Sequence, residues 1–217
     1  MIERSQARMF NRKASHLKNR PDRILEILKL QSGQKIADIG AGGGYFSLRF
    51  AQAVGAAGRV YAVDTNAKFL EFIEEQARES GYTNVKTILA GEDRLELPER
   101  GLDMVFMRNV CHHLHDRTGY FVNVRRTLKP SGRVAIIEYH PGRGFSLHRA
   151  FGHYVPDGVI VEEMRESGYR LREFHNFLPE QSFTIYSLEL RDIALLEPTE
   201  LASQTRQVCA SLARRQC

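Results

Sequence analysis

"IADIGAGGGYFSLRF", Ile36 to Phe50, decides how this chain is read. A short apolar run, Ile36–Ile39, enters a turn that holds Gly40, Gly42, Gly43 and Gly44, and a largely apolar segment follows from Tyr45. Strand, glycine turn and helix in that order cradle a nucleotide, because glycine has no Cβ and lets the backbone close on a ligand. A dinucleotide fold requires G-x-G-x-x-G. Gly40 and Gly42 fill its first two places, but Tyr45 occupies the third, where close helix–strand packing needs glycine. Tyr45 therefore counts against NAD. No G-K-[ST] follows, which removes a P-loop. What stands is D-x-G-x-G-x-G, with Asp38, Gly40, Gly42 and Gly44. A second acid, Asp64, closes the next apolar run, where a carboxylate suits the two hydroxyls of a ribose.

Outward from this turn, short apolar runs alternate with amphipathic segments. Ile24, Leu25, Ile27, Leu28 and Leu30 give a helix entered through Pro21 and ended near Gln31–Gln34. Lys35–Gly40, Arg59–Asp64, Val85–Ala90, Leu102–Met107 and Arg133–Tyr139 read as strands. Between them lie helices from Tyr45 to Val54, from Asn66 to a Gly81 cap, and from Thr118 to a stop in Lys129–Gly132. This alternation predicts βαβ units and an α/β fold with a mainly parallel sheet. Beyond Tyr139 the pattern changes. Pro156 and Asp157 open a helix, Tyr169–Leu178 and Ser182–Leu190 read as two antiparallel strands, and Pro198–Arg215 reads as a last helix. The expected division is a single domain: an N-terminal helical cap over residues 1–33, a catalytic core over 34–190 and a C-terminal helix over 191–217.

The chain has 217 residues, enough for a substantial core. No apolar run is long enough to span a bilayer, and the start lacks the apolar core of a secretory signal. Cys111, Cys209 and Cys217 are widely spaced and odd in number. They fit neither a disulfide framework nor a zinc site, which points to a reducing cytoplasm. The net charge of +5 is uneven: Arg4, Arg8, Arg12, Lys13, Lys18, Arg20 and Arg23 face only Glu3 and Asp22 in the first 23 residues. Such an arm reads as a solvated helix face, with an acidic substrate or RNA as the functional alternative. Only Phe10 interleaves with these charges, so the nucleic-acid signal is weak.

Four segments in order resemble the class I S-adenosylmethionine-dependent methyltransferases. "DIGAGGGYF" is similar to their first motif and "VYAVD" to their acidic second motif; "GEDRLELPERGLDMVFMRNVCHHL" and "TLKPSGRVAIIEY" are similar to the later ones. The likeness spans about Lys35 to Leu190. It implies a Rossmann-like seven-stranded sheet ordered 3-2-1-4-5-7-6, helices on both faces and an antiparallel last strand. It also implies S-adenosyl-L-methionine as cofactor and S-adenosyl-L-homocysteine as product. By this resemblance Gly40, Ala41, Gly42 and Gly44 lie along the cofactor, Asp38 helps to hold its amino end, Asp64 takes the ribose and Thr65 flanks the adenine. Glu92 or Asp93 accepts from the adenine amino group, the reading inclining to Asp93, and Arg108 and Asn109 reach the methionine portion. "ILAGEDRLELP", "HHL" and the late "GHYVP…EEM" are most similar to small stand-alone methyltransferases, with quinone-type and arsenite-type enzymes as neighbours.

Methyl transfer is an in-line displacement that needs alignment, exclusion of water and, where the acceptor carries a proton, a base. Six of the eight histidines follow two neighbouring strands: His112, His113 and His115 in one loop, His140, His148 and His153 in the other. Histidine titrates near neutral pH and shuttles protons. The catalytic candidates are His113, Tyr139, His140 and His153. His112 reads as a packed loop residue, His115 and His148 as exposed, Cys111 as a small buried residue, and Arg143 and Arg149 as solvated unless the acceptor is acidic. Neither loop has ligand spacing that demands a metal. The leading expectation is a small-molecule methyl acceptor. RNA or protein methylation through the basic arm, and cofactor binding without catalysis, are the alternatives.

Overall fold

Ile36, Ala37, Asp38 and Ile39 are all buried, so the strand they form, β1 (Lys35–Ile39), is covered on both faces. A strand buried on both sides belongs in the middle of a parallel sheet. The computed structural model describes residues 2–91, 96–140 and 154–189. In it β1 pairs in parallel with β2 (Arg59–Asp64) on one side and β4 (Leu102–Arg108) on the other. β3 (Val85–Leu89) flanks β2, and β5 (Leu128–Tyr139) flanks β4. β7 (Gln181–Leu188) runs antiparallel to both β5 and β6 (Tyr169–His175). The order is β3-β2-β1-β4-β5-β7-β6, as the family resemblance implies.

Alternate residues of the strands serve opposite core layers. Ile36, Val60, Met104, Phe106 and Ile137 pack with α2 (Pro21–Leu28) and α3 (Tyr45–Val54), which contribute Ile24, Leu28, Phe46 and Phe50. Ala37, Val63, Val105, Met107 and Ile136 pack on the other face with Phe121 and Val124 of α5 (Arg117–Thr127) and Ile160 and Met164 of α6 (Asp157–Glu166). α4 (Ala67–Glu79) sits over Ala62 through Leu70 and Ile73, with Asn66 as its N-cap. α1 (Ile2–Ser15) is held to α4 by a small cluster of Ala7, Phe10, Phe69 and Phe72. Arg117 grips Glu163 with two hydrogen bonds of 2.6 and 2.7 Å, tying α5 to α6.

Two boundaries differ from expectation. α2 ends at Leu28, where Lys29 turns left-handed (φ 48°), so Leu30 lies outside the helix. α5 ends at Thr127, and the segment read as its stop already belongs to β5. Leu128 pairs with Leu102, yet the next pair is Arg133 with Met104, so Lys129–Gly132 bulges from the ladder. The bulge is held by Lys129 Nζ on Asp103, at 2.7 and 2.8 Å. Lys-Pro-Ser-Gly looks like a helix stop because its own turn chemistry is local, whereas the Leu102 pairing that recruits it is not. The expected last helix, residues 191–217, lies outside the described residues.

Candidate active site

β1 is where the strand order reverses direction, and open α/β sheets bind ligands beyond the carboxyl ends of strands at that point. The glycine turn sits there. The Gly40 and Ala41 amides both donate to the Val63 carbonyl, at 2.8 and 3.0 Å, which folds the turn back over β2. Gly40 has φ +72°, and a Cβ on it would lie 2.4 Å from Val110 Cγ2. Gly42 donates its amide to Asp64 Oδ2 at 2.8 Å, while the Asn66 amide donates to Oδ1 at 2.9 Å. Each carboxylate oxygen of Asp64 thus keeps one further acceptor direction.

Gly43 and Gly44 serve packing. A Cβ on Gly43 would lie 2.2 Å from the Ala7 carbonyl of α1, and one on Gly44 would lie 2.6 Å from Ile73 Cγ1 of α4. Asn11 of α1 clamps the turn from outside: its Nδ2 donates to the Gly43 carbonyl at 2.7 Å and its Oδ1 accepts from the Tyr45 amide at 3.1 Å. No motif in the sequence marks Asn11, because the clamp joins segments that are distant along the chain.

Asp38 is buried and accepts from Ser47 Oγ at 2.5 Å. Burial pushes its carboxyl up to about 7, against the opposing pull of the Ser47 hydrogen bond; Asp64 adds to the rise and Arg108 lowers it. Arg108 lies with its guanidinium 5.4 Å from the Phe46 ring centroid and donates from Nη2 to Gln181 Oε1 at 3.3 Å. Its Nε is buried and makes no hydrogen bond, and burial lowers the pKa of the guanidinium. Gln181 also donates to Asn109 Oδ1. Asn109 adopts φ 57°, a left-handed conformation that Asn tolerates better than most residues. Gln181 therefore orients both residues that end β4, a role visible only once β7 is placed beside β5.

The histidine loop is a 3-10 turn over Cys111–His113. Cys111 is fully buried, and burial pushes its thiol well up, which keeps it unreactive. The His112 side chain is 5% exposed, and its Nδ1 lies 2.9 Å from Oε1 of the fully buried Glu138. Glu138 also accepts from the Tyr139 amide at 2.8 Å and, on Oε2, from the His112 amide at 3.3 Å. The His113 ring centroid is 4.1 Å from that of His112. Tyr139 is buried beneath α1, with Lys13 Nζ 5.4 Å from its ring centroid.

These groups border one cavity of about 1230 Å³. Asp38, Gly40, Ala41, Gly42, Asp64 and Thr65 line one part, and Arg108, Asn109, His113 and Tyr139 line another. Gly44 and His140 are not among its described lining residues. Gly44 faces α4, and the His140 amide donates to the Glu180 carbonyl at 3.3 Å. Glu92, Asp93 and His153 lie outside the described residues, as do His148, Arg143 and Arg149. His112, read as loop packing, lines the cavity, as do Phe10, Leu114 and Tyr120. Among the described residues no group of three or more acids, histidines and cysteines could hold a metal ion. No helix among them is long and apolar enough to cross a membrane.

Residues 30–167 match the family model of a methyltransferase domain. The chain belongs to the class I S-adenosylmethionine-dependent methyltransferases. This methyltransferase is 24% identical over 180 residues to a ubiquinone/menaquinone biosynthesis C-methyltransferase, UbiE, of Hahella chejuensis, covering 80% of this chain and 72% of that protein. Across similar UbiE relatives the chain spans 43% to 72% of their length. Its fold resembles a SAM-dependent methyltransferase of Aquifex aeolicus (TM-score 0.70, 22% identity, 78% of this chain and 89% of that one). It also resembles the [4+2]-cyclase SpnF (TM-score 0.66, 14% identity, 78% and 81%), so the shared fold alone fixes no chemistry.

The residues of this methyltransferase fit S-adenosylmethionine. Gly40 and Gly42 have left-handed backbones that leave a Cβ-free edge beside the Asp64 carboxylate, whose open acceptor directions suit a ribose diol. The buried Arg108 Nε at the same cavity keeps a donor for an anionic group, and Asp38 can face a cationic one.

Proposed function

We propose that this methyltransferase acts on a small, largely apolar ring-bearing acceptor. The size and continuity of the cavity carry the reading. At about 1230 Å³ it exceeds the roughly 300–1,000 Å³ usual for one drug-sized ligand. Its lining includes Asp64, which suits a nucleoside, and also Leu114, Tyr120 and Tyr139. That volume leaves room for an acceptor beside the cofactor, and aromatic and aliphatic side chains are part of the lining. The UbiE relatives, named for quinone biosynthesis, support the same class. With Cys111 free and buried, the reading places the enzyme in a reducing cytoplasm.

Gly40, Gly42, Asp64, Arg108 and Asp38 would hold the cofactor, and Thr65 would flank its adenine. When bound, the cofactor supplies an already activated methyl group. The protein must then orient the acceptor, exclude water and take up a proton where the acceptor carries one. α1 closes the cavity through Phe10, Asn11 and Lys13, so the basic arm acts first as a wall of the site. His113 and Tyr139 are the candidates from the sequence that line the cavity.

The test is calorimetry with S-adenosylmethionine, followed by transfer of labelled methyl to 1,4-dihydroxynaphthalene, a structured RNA and a basic peptide. Micromolar cofactor binding with label on the naphthalene is expected. Label on RNA or peptide instead would support the macromolecular alternative, and binding without transfer to any of the three would support a non-catalytic protein.

A further inference from the structure

We propose that Glu138 and His112 form the proton-accepting pair of this site and that the acceptor is a hydroxylated aromatic ring; this rests on the small-molecule reading above. A carboxylate fully removed from water is costly unless its lone pairs are used. Glu138 uses three: Oε1 faces His112 Nδ1 at 2.9 Å and the Tyr139 amide at 2.8 Å, and Oε2 takes the His112 amide at 3.3 Å. Two of the three donors belong to one residue, so the carboxylate fixes the position of His112 and its ring orientation together. With the Nδ1 proton directed at Glu138, the neutral ring carries its lone pair on Nε2. His112 borders the cavity while its side chain is 5% exposed, so this base is nearly dry. His113, by contrast, is exposed, its ring tilted by 48° against that of His112. Behind the pair, the Arg117–Glu163 ion pair adds charge of both signs.

A thiolate acceptor brings its own charge and needs no such device. A phenol does need one: its O–H is a poor nucleophile until ionised, and its ring suits a cavity whose lining includes Tyr120 and Tyr139. In the proposed step the acceptor O–H bond breaks with its electron pair remaining on oxygen. The proton joins the Nε2 lone pair, giving an imidazolium whose charge is balanced by Glu138. Water later removes that proton.

The probe is 4-nitrocatechol, a phenol whose absorption reports its ionisation, bound to the protein loaded with S-adenosylhomocysteine at a pH where the free probe is protonated. Wild type is expected to bind it in the ionised form. His112→Asn should bind it within about threefold as tightly but leave it protonated, and Glu138→Gln, which keeps the shape, should lower the ionised fraction about tenfold. A merely structural role would alter affinity and leave the spectrum of the bound probe unchanged. Should His112→Asn fail to fold, Glu138→Gln carries the test. A probe that wild type does not bind overturns the acceptor class. A bound probe that stays protonated, or one that ionises equally in both variants, overturns the pair. Absence of S-adenosylmethionine binding by wild type would instead remove the reading on which the pair rests.

Discussion

The Gly42 amide donates to Asp64 Oδ2 at 2.8 Å, so the acid that ends β2 holds the glycine turn in shape as well as facing the cavity. Asp64→Ala removes the acceptor for that amide, the acceptor for Asn66 and the seat for a ribose diol at once. Cofactor affinity is expected to fall by more than about fivefold, the loss of over ~1 kcal/mol that an unpaired polar group brings. Titration calorimetry reads it directly. Unchanged affinity would show that the nucleoside binds elsewhere.

Gly43 and Gly158 make a matched contrast. A methyl group at Gly43 collides with the Ala7 carbonyl and with Asn11 Oδ1, at 2.2 and 2.3 Å, so Gly43→Ala must push α1 off the turn. A loss of about 1–3 kcal/mol in unfolding free energy is expected, as for other overpacked sites. Gly158 lies in α6 with nothing within 4 Å of a built Cβ. Gly158→Ala should raise stability by about 0.4–1 kcal/mol through helix propensity and a stiffer unfolded chain. Denaturant melts of both variants decide it.

Asn11 predicts a coupling between the basic N-terminal helix and cofactor binding. Asn11→Ala leaves the Gly43 carbonyl and the Tyr45 amide without their partner. It should cost about 1–2 kcal/mol of stability and weaken the cofactor several-fold by loosening the turn. Equal cofactor affinity in calorimetry, with the expected loss in the melt, would confine Asn11 to packing.

Asp38 links the site to pH. Its folded carboxyl is pushed up to about 7, whereas in the unfolded chain it titrates in the usual carboxylate range. Between about pH 4 and 7 the folded protein therefore keeps a proton that the unfolded chain has lost, and this contribution to stability declines as pH rises through that window. Asp38→Asn should raise the stability of the cofactor-free protein at pH 8 by about 1–3 kcal/mol, the scale of an uncompensated buried charge. A cationic cofactor favours the ionised form, so wild-type affinity should tighten from pH 6 to pH 8. In Asp38→Asn affinity should be weaker and flat with pH. A pH-dependent affinity that persists in Asp38→Asn would assign the titration to another group.

The alternation of strands and helices and the glycine turn were legible because both are written in local chemistry, and the resemblance those motifs carry implied the strand order. Glycine has no steric rival at Gly40 and Gly42, an acid at the end of β2 suits a ribose diol, and apolar runs alternating with amphipathic helices point to a parallel sheet. Asn11, Gln181 and Glu138 carried no such mark. Asn11 touches the turn only because α1 lies across it, and Gln181 reaches Arg108 and Asn109 only because β7 turns back beside β5. His112 and His113 are neighbours with the same side chain, and no pattern along the chain separates them. The end of β5 does so, by setting the Glu138 carboxylate against one ring while the other is left exposed. The amino-acid sequence by itself determined a methyltransferase sheet and the cradle at Gly40–Asp64, since those depend on residues close along the chain. Which histidine of the loop meets a buried carboxylate was decided only by the tertiary structure, because hydrogen bonds between distant segments follow from register and burial rather than from sequence spacing.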